Sequence, residues 1–292
     1  MMKWILYCVV GALPALASAQ PAEHNGYRIY DTRSQQEISL PRLAAVLQEA
    51  AVIFFGEEHN DSVAHALQYE LLKALDEQYE GVALSMEMLV SEDQLVLDEY
   101  LSGLVTEHNL MKDAALWANY QDYRPMITYA KENHIRVLAA NAPARYTNRV
   151  TREGLESLRP LDKTAKALLA PLPIDTLEGR YYEKFAELLG GHGAMGRMKI
   201  YQSQNLWDAT MAYRISKFSK ERFIKKILHL TGRFHSDEKL GTVAHLRNYA
   251  PRLRLATISC FPAEISGRPA WHNYEHLADF IILTDPAADR TF

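Results

Sequence analysis

Cysteine is nearly missing: the 292 residues contain two, Cys8 and Cys260. Cys8 lies in "MMKWILYCVVGALPALASAQ", where Lys3 precedes an apolar stretch from Trp4 to Leu16 and the small-x-small site Ala17-Ser18-Ala19. That pattern reads as a secretory signal peptide over residues 1–19, too short and wrongly flanked for a membrane span. Its removal leaves Cys260 alone, which excludes an intramolecular disulfide. Cys8 stands mid-run and does not close a lipobox, which argues against a lipid anchor. Runs of one charge are lacking too. The formal net charge is −4 and spread along the chain, so nothing would draw nucleic acid or an anionic membrane surface. No Gly-x-Ser-x-Gly elbow, Walker loop or Gly-x-Gly-x-x-Gly follows an expected strand, and neither Gly-x-x-His copy resembles His-Glu-x-x-His. These absences weaken the hydrolase-elbow, NTPase, dinucleotide and helical zinc-protease readings.

What is present suffices for one large core: 48% of the residues are hydrophobic and 23% charged. The expectation is an exported, periplasmic chain with a single domain over 20–292. Apolar runs at 50–55, 81–88, 135–141, 225–232, 254–261 and 279–285 read as buried strands. Helical patterns separate the early ones. "DSVAHALQYELLKALDEQ" carries Val63, Ala66, Leu67, Leu71 and Leu75 on one face, with Asp61 or Ser62 placed to cap it. "SEDQLVLDEYLSG" opens with a Ser91/Gln94 capping box and closes on Gly103. The fold class is therefore α/β, a mostly parallel central sheet flanked by helices. A helical insert or lid is expected at about 142–222.

In open α/β sheets, ligands gather outside the carboxyl ends of the strands. Here that rule collects Gly56-Glu57-Glu58-His59, Glu87, Asn141 and Gly232-Arg233-Phe234-His235. A repeated Gly-x-x-His with carboxylates between would suit a transition metal or a His/Glu acid–base site. The long helical stretch "MKIYQSQNLWDATMAYRISKF" places Gln204 and Asp208 inside its apolar stripe, so both should face a polar pocket or pair with one another.

At these residues the chain resembles the ChaN-like haem-binding family, part of a wider group that includes Tiki, TraB and erythromycin esterase proteins. The resemblance rests on "FGEEHNDSVAHALQ", "SMEMLVSEDQLVLDEYLSG", "AANAP", "SQNLWDATMA" and "LTGRFHSDEKLGTVAHL". It implies an α/β core with a helical subdomain, and haem as ligand in a cleft between the strand ends and the insert. It also implies dimerisation around haem, and an outer-membrane haem receptor and iron uptake as the setting. The cofactor residues under this reading are Gly56, His59, Asn141, His192, Tyr201, Gln204, Asp208, Gly232 and Arg233. Tyr181, Tyr182 and Met195 are further ligand candidates, and Arg145, Arg149, Arg180 and Arg197 could meet propionates. The wider group offers an alternative, a metal-dependent peptidase. There His59, Glu87 and His235 hold a divalent metal such as Zn or Mn, with Glu58 and Glu87 as the catalytic carboxylates.

Overall fold

The computed structural model describes residues 26–190 and 194–292, so the signal-peptide expectation and His192 lie outside the described residues. The chain opens with β1 (Tyr27–Asp31), β2 (Gln36–Ile38) and α1 (Leu40–Val46). Alternating units follow: β3 (Val52–Glu57), α2 (Ser62–Gln78), β4 (Val82–Val90), α3 (Gln94–Leu101), α4 (Glu107–Asp113), α5 (Tyr120–Glu132) and β5 (Arg136–Asn141). Next come α6 (Ala144–Glu153), α7 (Lys163–Ala167), α8 (Arg180–Leu188) and α9 (Ala194–Phe218), with no strand among their described residues. The chain closes with β6 (Lys226–Gly232), α10 (Gly241–Tyr249), β7 (Leu255–Pro262) and β8 (Phe280–Thr284).

The eight strands form one sheet in the order β2-β1-β8-β7-β3-β6-β4-β5. The six strands expected from apolar runs pair in parallel, as continuous burial on both faces requires. The β1–β2 hairpin escapes the sequence reading. It adds an antiparallel edge beyond β8, and its mixed polar residues make no apolar run. In β3 the period of two divides the core: Ile53 and Phe55 face one apolar cluster with Leu71, Met86 and Leu228, and Val52 and Phe54 face another with Met211, Ile215 and Leu246.

Two details shape the edges. The Asp61 side chain caps α2 by accepting from the amides of Val63 and Ala64. The Ser91/Gln94 capping box does not form. Gln94 instead turns to the edge strand β5, its amide donating to the Val137 carbonyl (2.9 Å) and its Oε1 accepting from the Ala139 amide (2.9 Å). On β6, the buried Lys226 ammonium donates to the carbonyls of Leu47 (2.8 Å), Gln48 (3.2 Å) and Ala50 (2.6 Å). Lys226→Met strands these carbonyls, and we expect it to cost about 1.5–3 kcal/mol in urea unfolding. An unchanged urea midpoint would show that water replaces the ammonium without loss. Among the described residues no helix is long and apolar enough to cross a membrane.

Candidate functional site

The two Gly-x-x-His segments interlock. Parallel pairing sets Glu57 of β3 beside Gly232 of β6. A Cβ on Gly232 would lie 2.7 Å from His59 Nε2. A Cβ on Gly56 would lie 2.5 Å from Ser236 Oγ and 2.9 Å from Arg233 Cα. Each glycine thus leaves the room that the other segment occupies, which accounts for the doubled motif in packing alone.

Around this crossing lie two polar clusters. In the first, the buried Glu57 carboxylate accepts from Tyr123 (2.5 Å) and Gln68 and meets His59 Nδ1 at 2.8 Å. His65 Nε2 lies 3.6 Å from the same carboxylate, and neither ring nitrogen of His65 has a hydrogen-bond partner among the described residues. Burial disfavours the His59 imidazolium. The Glu57 bond and the Glu87 charge outweigh it and raise the pKa of His59. Trp117 meets the His59 ring edge-on, with centroids 4.9 Å apart.

The second cluster joins α8 and α9 to the ends of β4 and β6 and to α10. The register of β4 against β5 slips between Met86 and Val90, and Glu87 lies in that irregularity. Its Oε2 accepts from Thr231 Oγ1 (2.6 Å) and the Gly232 amide (2.8 Å), while Oε1 lies 3.4 Å from His235 Nε2. The other His235 nitrogen meets Asp208 Oδ1 at 2.7 Å. Asp208 also accepts from Tyr181 (2.5 Å) and Thr242 (2.8 Å), and Gln204 Nε2 lies 3.3 Å from the Tyr181 hydroxyl. Gln204 and Asp208 therefore join one buried polar network through Tyr181 and His235 and do not bond to one another. Burial opposes charge on both His235 and Glu87. Even so, Glu87 and Asp208 push His235 up to about 10, and His235 and His59 hold Glu87 below the ordinary carboxylate range.

This bonding bears on the expected ligand sets. No group of three or more His, Cys, Asp or Glu side chains among the described residues is placed to hold a metal ion. The metal set of His59, Glu87 and His235 thus finds no support, because the Glu87 oxygens are engaged by Thr231, Gly232 and His235. Glu58 is half-exposed and paired to Arg233 (3.3 Å). Arg233 is further held by Asp237 (2.8 Å) and lies over the Phe261 ring. Asn141 is buried and accepts from the Ala142 amide (2.8 Å). Tyr201 is buried among aromatic rings, its hydroxyl donating to the Leu177 carbonyl. Arg145, Arg149 and Arg180 are paired to Glu92, Glu153 and Glu238.

A second place went unread in the sequence. Between the edge of β5, the segment 158–173 and the C-terminal part of α9 lies a cavity of about 1070 Å³. Leu138, Leu158, Leu169, Leu172 and Phe218 supply apolar walls, and Tyr213 supplies a phenol. Arg136, Arg159, Lys166, Arg214 and Lys217 line it against one carboxylate, Glu221. Its size is at the top of the usual range for small-molecule sites, roughly 300–1,000 Å³. A signal did exist: Arg214 shares the helical stripe of Trp207, Met211 and Phe218, where a cation needs a reason.

Comparison with known proteins follows this geometry. A family model described as "Haem-binding uptake, Tiki superfamily, ChaN" matches residues 43–246. Among solved structures, ChaN of Campylobacter jejuni, described as showing cofacial haem binding, aligns with a TM-score of 0.68 at 17% identity. The match covers 89% of this chain and 98% of that chain. An erythromycin esterase mutant in its open conformation aligns with a TM-score of 0.49 at 14% identity, over 89% of this chain and 83% of that chain. No curated protein matches the sequence.

Proposed function

Because the chain belongs to the ChaN family of haem-binding uptake proteins, we propose that it is an exported haem-binding protein serving haem and iron acquisition in the periplasm. The family match over residues 43–246 carries this reading. The chain's own residues fit the group: haem needs an apolar enclosure and cations for two propionates, and the cavity beside β5 offers both. Haem would supply iron as cargo. The protein's part is to bind the porphyrin, cover it and present it to a receptor at the outer membrane. A second copy of the chain could cover the open side of the bound haem.

Titration of the purified protein with hemin is expected to give a saturable Soret band, and no spectral change on adding hemin would end the haem reading. Export has its own test. The chain released from the periplasm should begin at Gln20, as read by intact-mass spectrometry, and a full-length cytoplasmic chain would refute it.

A further inference from the structure

The chain is acidic overall and has no run of one charge, so its sequence offers an anionic surface nothing to grip. The fold redistributes that charge. Strands β3 to β7 run parallel and therefore begin on one side of the sheet, opposite the crossing of the two Gly-x-x-His segments. The turns that enter them there are residues 47–51, 79–81, 133–135, 219–225 and 250–254. With Arg136 these turns expose six cations, Arg136, Lys220, Arg222, Lys225, Arg252 and Arg254, against the three carboxylates Glu49, Glu80 and Glu221. Each carboxylate is already paired: Glu49 with Arg254 (2.8 Å), Glu80 with Lys225 (3.1 Å) and Glu221 with Arg136 (3.1 Å). Lys220, Arg222 and Arg252 make no ion pair among the described residues. The remainder of the chain is thus more acidic than the whole, which orients this face toward an anionic partner.

β6 is the middle strand of these five, and Phe223, in the turn that enters it, is 79% exposed. That turn is pinned. The amides of Lys220, Glu221 and Ile224 donate to the carbonyls of Lys217 (3.1 Å), Phe218 (3.1 Å) and Glu221 (3.0 Å). The Lys225 amide donates to the Gly81 carbonyl (2.9 Å), and Gly81, at φ 70°, leaves room for the Phe223 carbonyl that a Cβ would strike. The Arg222 guanidinium lies 5.5 Å from the centre of the Phe223 ring. Asp76 lines the groove beside Phe223 but is engaged by the Tyr129 hydroxyl (3.1 Å). Protein interfaces are poor in lysine, whereas an aromatic ring with a basic collar suits a bilayer. The ring enters the boundary between headgroups and acyl chains, and the cations meet lipid phosphate.

We propose that this amino-end face of the sheet, with Phe223 as its wedge, docks on an anionic phospholipid bilayer. The contact is reversible, because one ring and a few cations give a modest partition that salt weakens. The exposed ion pairs do not oppose it, since such pairs are worth little in water and their cations can turn to lipid phosphate. Arg136 and Glu221 also line the 1070 Å³ cavity beside β5, so docking sets that cavity next to the lipid. The proposal does not depend on what the cavity holds.

The test is co-sedimentation of the whole protein with vesicles of phosphatidylcholine, alone or with about one-third phosphatidylglycerol. The wild type should bind the anionic vesicles, and salt at about 0.5 M should release it. Phe223→Ser should lower the partition about tenfold or more, by loss of the buried ring. Lys220→Gln and Arg222→Gln should each lower it about fivefold. All three side chains are exposed, so the substitutions leave the core intact. Residues 1–19, where still present, are the same in every variant, and differences between variants read the turn alone. Phe223→Trp reports its own position: its emission, taken as a difference from the wild type, should shift to the blue on anionic vesicles. Absence of that shift, or equal partition of wild type and Phe223→Ser, overturns the docking surface. Equal partition onto neutral vesicles overturns it as well, because the cations would then play no part. A dimer in vesicle-free solution that Phe223→Ser abolishes, with no uptake by vesicles, gives the face to a second copy and overturns the membrane assignment.

Discussion

Asp208→Ala is expected to destabilise the protein by about 3–5 kcal/mol, the usual cost of removing one partner from a buried charge pair. Asp208 is fully buried and is the acceptor for His235, Tyr181 and Thr242 at once. The variant leaves a buried imidazolium facing Glu87 alone and a tyrosine hydroxyl without its acceptor. Because Tyr181 and Asp208 lie on α8 and α9, and His235 and Thr242 lie after β6 and on α10, the loss should loosen the joint between these helices and the sheet. Urea unfolding measures the cost, and limited proteolysis between 142 and 222 locates it. A change below about 1 kcal/mol would show that the network is not the joint.

The same network sets a pH dependence. His235 rises from the ordinary histidine value of 6.5 to about 10 in the folded protein. Its contribution is therefore complete below pH 6.5 and is lost as pH climbs through about 10. Glu87 runs the other way on the acid side. Its contribution is complete above the ordinary carboxylate value of 4.5 and is lost as pH falls toward its lowered folded pKa. Lys226, held down to about 8 by burial, gives an opposing slope, adding stability from pH 8 towards 10.5. Comparing Asp208→Asn with the wild type cancels the lysine. Urea midpoints from pH 6 to 10 should fall less steeply in the variant, and parallel curves would dismiss His235 as the source.

Gly56→Ala is the second large effect. The added Cβ would meet Ser236 Oγ at 2.5 Å and the Arg233 backbone at 2.9 Å. A serine could rotate, but the Arg233 Cα is backbone and follows directly on Gly232, the last β6 residue paired with β3. The expected cost is roughly 3 kcal/mol or more, by overpacking. Gly232→Ala meets only the His59 ring, the end of a side chain one third exposed, and should cost less while displacing that ring. If the two variants proved equally stable, the interlocking of the segments would not govern stability.

The parallel sheet was legible because six strands buried on both faces read as unbroken apolar runs. So was the polar patch on α9, since Gln204 and Asp208 interrupt its apolar stripe. The roles within the site were less legible. A sequence places Tyr201 near a ligand by type alone, whereas the fold spends its hydroxyl on the Leu177 carbonyl. Gln94 matched a capping box in spacing, yet an unpaired strand edge competed for its amide and won. The cavity was hidden for a further reason: it arises where residues near 138, 169 and 214 converge, and no local pattern records that.

The cover over β5 has a consequence for self-association. An outer strand with free amides and carbonyls is a template on which another chain can add a strand. Here the Gln94 carboxamide imitates one peptide of a neighbouring strand, and Arg214 occupies the Ala139 carbonyl. The opposite margin, β2, is three residues long. The edge groups of Val137 and Ala139 are thereby closed to an added strand, which removes the cheapest hold for fibrous assembly along β5.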